Sequence, residues 1–431
     1  MSNENKPIKI AFLTVLDPND RRSWSGTIYY VAQALQKHCG ELYYVGPIET
    51  NERLLGKVLH KLSKRLLKKN FEYNHSFLLA KKHAKVVAQR LAGRSFDVIV
   101  TVTGTTEIAF LETDIPIVLV GDATFHLVHN YYPQFSNLLE RSIREGNVIE
   151  DLALKKANSL IYSSEWAAQS AIEDYHTDKQ KIHVVPFGAN FDNPPPKEII
   201  QERKKSDLCR LLFMGVSWER KGGEIAFETL LKLEEMGIAA ELTVCGCTPP
   251  ETFSHERMKV IPFLNKNDER QRQELDKLFL TSDFLLLPTR GDCTPIVFCE
   301  ASSFGLPVIT THTGGVPGVI TDGENGFMLP FDARGDQYAE VIAKIFRDDQ
   351  RYAELVQSSR SAFDERLNWD AWGTAVKKIL ADMLGREDMP GDAGISSRPS
   401  ISASIFLTAV PQASQFSLSS KAARLDCTSS A

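Results

Sequence analysis

Three glycine-centred segments bring together residue types suited to holding a phosphorylated ligand. In Phe213-Met214-Gly215-Val216-Ser217-Trp218-Glu219-Arg220-Lys221-Gly222-Gly223 an apolar run ends in Gly215, and two cations precede a helical pattern. Glycines let a backbone come close to a ligand, and a helix N-terminus offers free N–H groups and a positive dipole end. Arg220 and Lys221 add charge of the sign a pyrophosphate needs. A surface turn with two solvated cations would leave the same string.

The second segment carries carboxylates. Phe284 to Pro288 reads as a buried strand, followed by a polar loop from Thr289 to Thr294 that contains Gly291, Asp292 and Cys293. Pro295 suits the first residue of a helix, with Thr294 as its N-cap and Ile296 in its first turn. Glu300 falls inside that helix, ahead of the Phe304-Gly305-Leu306-Pro307 stop. Two carboxylates set around a helix N-terminus can bracket a phosphate held by the free amides, each reaching a sugar hydroxyl. Glu300 sits among Val297, Phe298, Cys299 and Ala301, and a carboxylate so surrounded needs a partner or a ligand. In the third segment, Thr311-His312-Thr313-Gly314-Gly315-Val316-Pro317-Gly318, paired glycines follow an apolar run. They would let the chain pass beneath a ligand, and a plain turn explains them equally well.

Such segments need a scaffold that sets strand ends side by side. Short β-branched apolar runs alternate with longer amphipathic ones, the pattern of parallel sheets covered by helices. The first set runs Ile8 to Val15, Glu41 to Gly46, Val98 to Val102, Ile117 to Val120, Ser159 to Ser163 and His183 to Pro186. The second runs Leu211 to Met214, Glu241 to Val244, Lys259 to Ile261, Phe284 to Pro288 and Pro307 to Thr310. The expected organisation is an α/β chain with a first Rossmann-like domain over 1–192 and a proline-rich linker over 193–207. A second Rossmann-like domain follows over 208–363, then a terminal helix over 364–385 and a serine-rich, disordered tail over 386–431.

Composition narrows the class. A chain of 431 residues exceeds one ordinary core and suits two. The formal net charge of −5 argues against general nucleic-acid binding. Seven cysteines without a Cys-x-x-Cys pair read as reduced thiols, and no His/Cys spacing suggests zinc, so no metal is expected. Without a run of roughly 18 apolar residues, and with a polar N-terminus leading straight into a strand, a cytoplasmic location is expected.

Residues 53–94 hold twelve lysines and arginines against Glu72 alone, and Leu54, Leu55, Val58, Leu59, Leu62 and Leu66 recur at helical spacing. Two readings fit: a helix packed on the first sheet with a solvated basic face, or peripheral contact with an anionic membrane.

Together the three segments resemble the retaining glycosyltransferases of family four. The matches are Gly215 and Lys221-Gly222, Asp292 followed by Glu300, Phe304-Gly305-Leu306-Pro307-Val308-Ile309, and Gly314-Gly315. They extend to Gly26, to Ser163-Ser164-Glu165-Trp166 and to Val184-Val185-Pro186-Phe187-Gly188. The resemblance implies the GT-B fold, with two Rossmann-like doubly wound domains facing a central cleft and a C-terminal helix crossing back to the first domain. It implies transfer of a hexose-type sugar from a UDP- or GDP-sugar, with retention and without a cofactor or metal, onto an acceptor taken up on the first-domain side. That acceptor is left open among lipid, glycan, protein and small molecule.

Residue by residue, the resemblance puts Glu300 on the ribose hydroxyls, Asp292 on the donor sugar and Lys221 on the pyrophosphate. It puts Gly215, Cys293, Thr294, Pro295 and Ile296 around the donor, Gly26 in the loop facing it and Asp122 beside the reacting carbon. Val216 replaces the family's usual arginine, so Arg220 is expected to supply that charge. Asp292 stands for a commoner Glu, and Gly318 for another. A nucleotide-sugar epimerase and a non-catalytic nucleotide-sugar-binding paralogue stay open as alternatives.

Overall fold

Strands apolar on both faces must be covered on both faces. Val98–Val102 and Ile117–Gly121 are buried along their whole length, and the computed structural model sets them at the centre of a parallel sheet. The structure describes residues 7–203 and 205–386, all within one compact unit. In the first sheet β1 (Ile8–Leu13), β2 (Gly40–Tyr44), β3 (Val98–Val102), β4 (Ile117–Gly121), β5 (Ser159–Tyr162) and β6 (Ile182–Val184) lie in the order β2-β1-β3-β4-β5-β6. The second holds β7 (Cys209–Met214), β8 (Ala240–Cys245), β9 (Met258–Ile261), β10 (Phe284–Leu287), β11 (Val308–Thr311) and β12 (Gly326–Leu329), ordered β12-β11-β10-β7-β8-β9. The strand pairs within both sheets are parallel.

The second order fixes where a ligand can sit. From β7 the chain winds outward through β8 and β9, then returns to start β10 on the other side of β7. Open α/β sheets bind ligands outside the carboxyl ends of strands at such a reversal. Here the reversal lies between the turn after β7 and the loop after β10.

Helix α1 (Thr27–His38) packs Ile28, Val31 and Leu35 against the first sheet. Trp372, Val376 and Leu380 of the C-terminal helix Trp369–Leu384 join the same cluster, and Asp370 holds Lys37 at 2.6 Å and His38 at 2.7 Å. The C-terminal helix thus crosses back to the first sheet. It starts later than the sequence suggested: Asp364 belongs to the preceding helix, Asp349–Glu365. The chain breaks at Arg366, and the Asn368 side chain accepts from Ala371 N at 2.8 Å to start a new helix.

Other differences have local causes. Asn193 to Asp207 contains a short helix, Lys197–Gln201, whose Ile200 is buried in the second core. Strand β12, unforeseen from sequence, is a four-residue edge strand beginning at a glycine. Helix α2 (Glu52–Leu66) buries Gly56 and Ser63 rather than its leucines, so the reading in which the apolar stripe packs on the sheet does not hold. Of the tail over 386–431, only Arg386 is among the described residues, paired with Asp97 at 2.6 Å. Among the described residues no helix is long and apolar enough to cross a membrane.

Candidate active site

The turn from Gly215 to Gly222 is pressed against the end of β10. Gly222 has φ +77°, and a Cβ there would lie 2.0 Å from the Pro288 carbonyl oxygen, so only glycine fits. Arg290 N donates to the Arg220 carbonyl at 2.7 Å, tying the turn to the loop. This contact aims Arg220 and Lys221 at Asp292. Lys221 Nζ lies 2.8 Å from Asp292 Oδ1 and 2.8 Å from Oδ2. Arg220 Nη1 reaches the Gly291 carbonyl at 2.7 Å and Asp292 Oδ1 at 3.2 Å. Lys221 and Asp292 are both buried. Burial pushes the Lys221 ammonium below its usual range, the Asp292 charge opposes that, and Arg220 adds to it. Val216, by contrast, is 70% exposed, while Arg220 is turned into the Asp292 loop.

The other half of the molecule clamps the Asp292 loop by its backbone. Asp292 N donates to Tyr131 Oη at 2.9 Å and Cys293 N to Tyr132 Oη at 2.9 Å; the Arg220 guanidinium sits over the Tyr132 ring, 5.4 Å from its centroid. Gly314 and Gly315 close the same layer. A Cβ on Gly314 would lie 2.2 Å from Tyr131 Oη, and one on Gly315 1.7 Å from the Cys293 carbonyl oxygen. The paired glycines are required because their backbone lies against the Asp292–Cys293 backbone, with the hydroxyls of Tyr131 and Ser164 closing on it from the other wall.

The helix after the loop begins one residue later than expected, at Ile296, with Pro295 at the capping position and no side-chain cap. Thr294 does not cap it; its hydroxyl bonds the Ser163 hydroxyl from the end of β5 instead. Glu300 lies in this helix, only 2% exposed, and its carboxylate pairs with the Lys266 ammonium. The partner that the apolar surroundings of Glu300 called for is thus a lysine.

Asp122 follows β4 on the first-sheet wall. Burial pushes its carboxyl up to about 7, and the nearby negative charge of Asp292 adds to the shift. Gly26, at φ +91°, starts α1 and lines a cavity of about 10 Å³ with Tyr30, Asn190, Lys266 and Arg272. That space holds about one water. Gly26 thus faces the Lys266–Glu300 end of the cleft, while Asp122 faces Asp292.

Sequence reasoning missed Tyr131, Tyr132 and Lys266. The aromatic pair ahead of Pro133 after a buried strand was a usable signal. Lys266 lies in an ordinary polar turn, Asn265-Lys266-Asn267-Asp268, and nothing in its type or spacing marks it.

Residues 196–362 match the family model described as glycosyl transferases group 1. D-inositol 3-phosphate glycosyltransferase of Corynebacterium aurimucosum is 24% identical over 295 residues, 64% of this chain and 68% of its own length. The enzyme of that name from Xylanimonas cellulosilytica is 25% identical over 261 residues, 56% of this chain and 61% of its own. Among solved structures, sucrose-phosphate synthase of Thermosynechococcus elongatus superposes with a TM-score of 0.61 at 14% identity, over 88% of this chain and 100% of its own. A Rickettsia africae glycosyltransferase gives 0.58 at 15%, over 88% and 99%. Anabaena HepE, solved in complex with UDP-glucose, gives 0.57 at 15%, over 88% and 99%. At these identities the structural likeness shows the fold, which is GT-B.

Proposed function

We propose that this chain, a member of the glycosyl transferases group 1 through residues 196–362, moves a hexose-type sugar from a UDP- or GDP-sugar to an acceptor hydroxyl with retention of configuration. One observation carries the reading: Lys221 and Arg220 converge on Asp292 at the sheet's reversal point, just ahead of the helix that holds Glu300. The UDP-glucose bound to the Anabaena neighbour supports a nucleotide-sugar donor.

In this reading the donor exchanges partners within pairs the fold already makes. The diphosphate takes Lys221 and Arg220 from Asp292, and the released carboxylate accepts from sugar hydroxyls. The ribose hydroxyls take Glu300 from Lys266, which is free to turn toward phosphate. As the bond from the sugar carbon to phosphate oxygen breaks, its electron pair passes to the diphosphate. The acceptor oxygen bonds the carbon from the same face, and the acceptor proton goes to the departing phosphate oxygen. Fixed cations facing the growing negative charge need little reorganisation, which is why such electrostatics supply much of the rate enhancement in many enzymes. Asp122, beside Asp292, faces the carbon where positive charge develops.

The test is a thermal-shift and turnover screen with UDP, GDP and their hexose conjugates. A ligand at 100 times its dissociation constant stabilises by about 2.7 kcal/mol. Stabilisation together with release of the diphosphate from one donor is expected. No shift with any of these compounds would overturn the reading.

A further inference from the structure

Helix α2 turns to solvent the side chains that a packed helix buries. Leu54, Leu55, Val58, Leu59, Leu62 and Leu66 are between 40 and 72% exposed. The face that meets the protein is the small one. A Cβ added to Gly56 would lie 2.6 Å from Tyr73 Cβ, and Ser63 Oγ donates to the Lys69 carbonyl at 2.7 Å. His60 Nδ1 meets the Phe71 carbonyl at 2.9 Å. Close approach along Gly56 and Ser63 fixes the roll of the helix, and that roll points the leucine stripe outward.

Contiguous apolar patches on a protein surface mark interaction sites, and the charges beside this one select the partner. By helical periodicity Arg53, Lys64 and Lys61 form an arc next to the stripe, and Arg65 stands at the stripe's edge beside them. Among the described residues Lys61, Lys64 and Arg65 are in no ion pair, whereas Lys69 pairs with Glu140 at 3.6 Å. We propose that α2 docks on an anionic lipid bilayer, with its leucine stripe in the boundary between headgroups and acyl chains and the cationic arc on lipid phosphates. A second copy fits worse, because an antiparallel two-fold contact through the stripe would bring two cationic arcs together. The helix is also tied to the cleft. Asn137 Nδ2 donates to the Lys68 carbonyl at 2.7 Å and Asn70 N to the Asn137 carbonyl at 2.9 Å. The segment that makes these bonds also carries Tyr131 and Tyr132 to the Asp292 loop.

The proposal does not rest on the transferase reading, and its test is independent of turnover. Full-length chain is floated with phosphatidylcholine vesicles, with and without phosphatidylglycerol, over a salt series. Binding should require phosphatidylglycerol and weaken as salt rises. The triple variant Lys61→Glu, Lys64→Glu, Arg65→Glu should lower the partition coefficient by at least on the order of a hundredfold. Leu54→Ser, Val58→Ser, Leu62→Ser should abolish binding. These side chains are exposed, so both variants should keep the wild-type melting temperature and circular dichroism. Equal binding to neutral vesicles, binding that survives either variant, or no binding at low salt would each overturn the proposal. So would a dimer in sedimentation velocity that the leucine variant dissolves, which would assign the stripe to a second copy.

Discussion

The Lys221 ammonium lies 2.8 Å from both carboxylate oxygens of Asp292, although the two residues are 71 positions apart in the chain. They meet because β7 and β10 are neighbours in the second sheet and each runs into its turn at the point where strand order reverses. The cation and the carboxylate therefore act as one unit. Asp292 helps keep Lys221 protonated against burial, and Lys221 offsets the cost of burying Asp292.

Lys221→Ala should lower turnover by on the order of a hundredfold, the usual loss when one preorganised charge partner is removed. It should also destabilise the fold, since breaking a buried ion pair costs about 3–5 kcal/mol; Arg220, at 3.2 Å from the same carboxylate, should reduce that loss. Adding Asp292→Ala should restore part of the stability and none of the turnover. Urea denaturation and initial rates on the single and double variants check this. Near-wild-type turnover in Lys221→Ala would remove the turn from the reaction.

The parts of the site legible in the sequence are those marked by local chemistry. Arg220 and Lys221 stand before a helix, and Asp292 and Glu300 flank the start of another, so residue type and turn context sufficed. Tyr131 and Tyr132 act on main-chain groups 161 positions away, a contact that exists only once two parallel sheets face each other. Thr294 has the right type and place for a helix cap, yet a hydrogen bond to Ser163 takes its hydroxyl. The leucine period of α2 shows an amphipathic helix but not its roll, which Gly56 and Ser63 set by close packing. Strand β12 opens on Gly326, and a glycine weakens a strand pattern that is only four residues long.

Gly315→Ala should damage the site through sterics alone. Its Cβ would lie 1.7 Å from the Cys293 carbonyl oxygen, a backbone atom. Overpacking typically costs about 1–3 kcal/mol, and a shift of about 1 Å in the loop that carries Asp292 can cost on the order of a hundredfold in rate. Gly237→Ala is the control. Its φ is +74° and no atom lies within 4 Å of the added carbon, so it should cost about 1 kcal/mol and leave turnover alone. Equal rates in the two variants would mean that this contact between the glycine turn and the Asp292–Cys293 backbone does not position the site.

Asp122 supplies a pH test with a definite sign. Its carboxyl is raised from 3.8 to about 7 in the folded protein, chiefly by burial. Between those values the folded chain binds more protons than the unfolded one, so this group makes stability fall as pH rises through the window. Asp122→Asn should gain stability relative to wild type from about pH 4 to about pH 7 and hold a constant lead above that. Glu150, also raised to about 7, acts in the same direction but is present in both proteins and cancels. Melting temperatures across this range give the comparison. A difference that does not change with pH would show that Asp122 has an ordinary carboxyl. If Asp122 takes part in the reaction, the wild-type rate profile should carry a limb near pH 7, and a limb that persists in Asp122→Asn would take this residue out of the chemistry.

Glu300 and Asp292 should separate cleanly in calorimetry with nucleoside diphosphate alone. If Glu300 holds the ribose, Glu300→Gln replaces charge-assisted hydrogen bonds with neutral ones about half as strong, and diphosphate affinity should fall several-fold. Asp292 competes with the diphosphate for Lys221, which it holds at 2.8 Å. Asp292→Asn removes that competitor's charge, so diphosphate affinity should stay level or rise. Turnover with the full donor should drop all the same, because the sugar loses a carboxylate contact that strengthens at the transition state. The ordering is therefore Asp292→Asn at or above wild type and Glu300→Gln below it. A fall of equal size in both variants would mean that the loop and the helix hold the same part of the donor. Unchanged affinity in Glu300→Gln would detach Lys266 and Glu300 from the nucleotide and leave them as a structural pair.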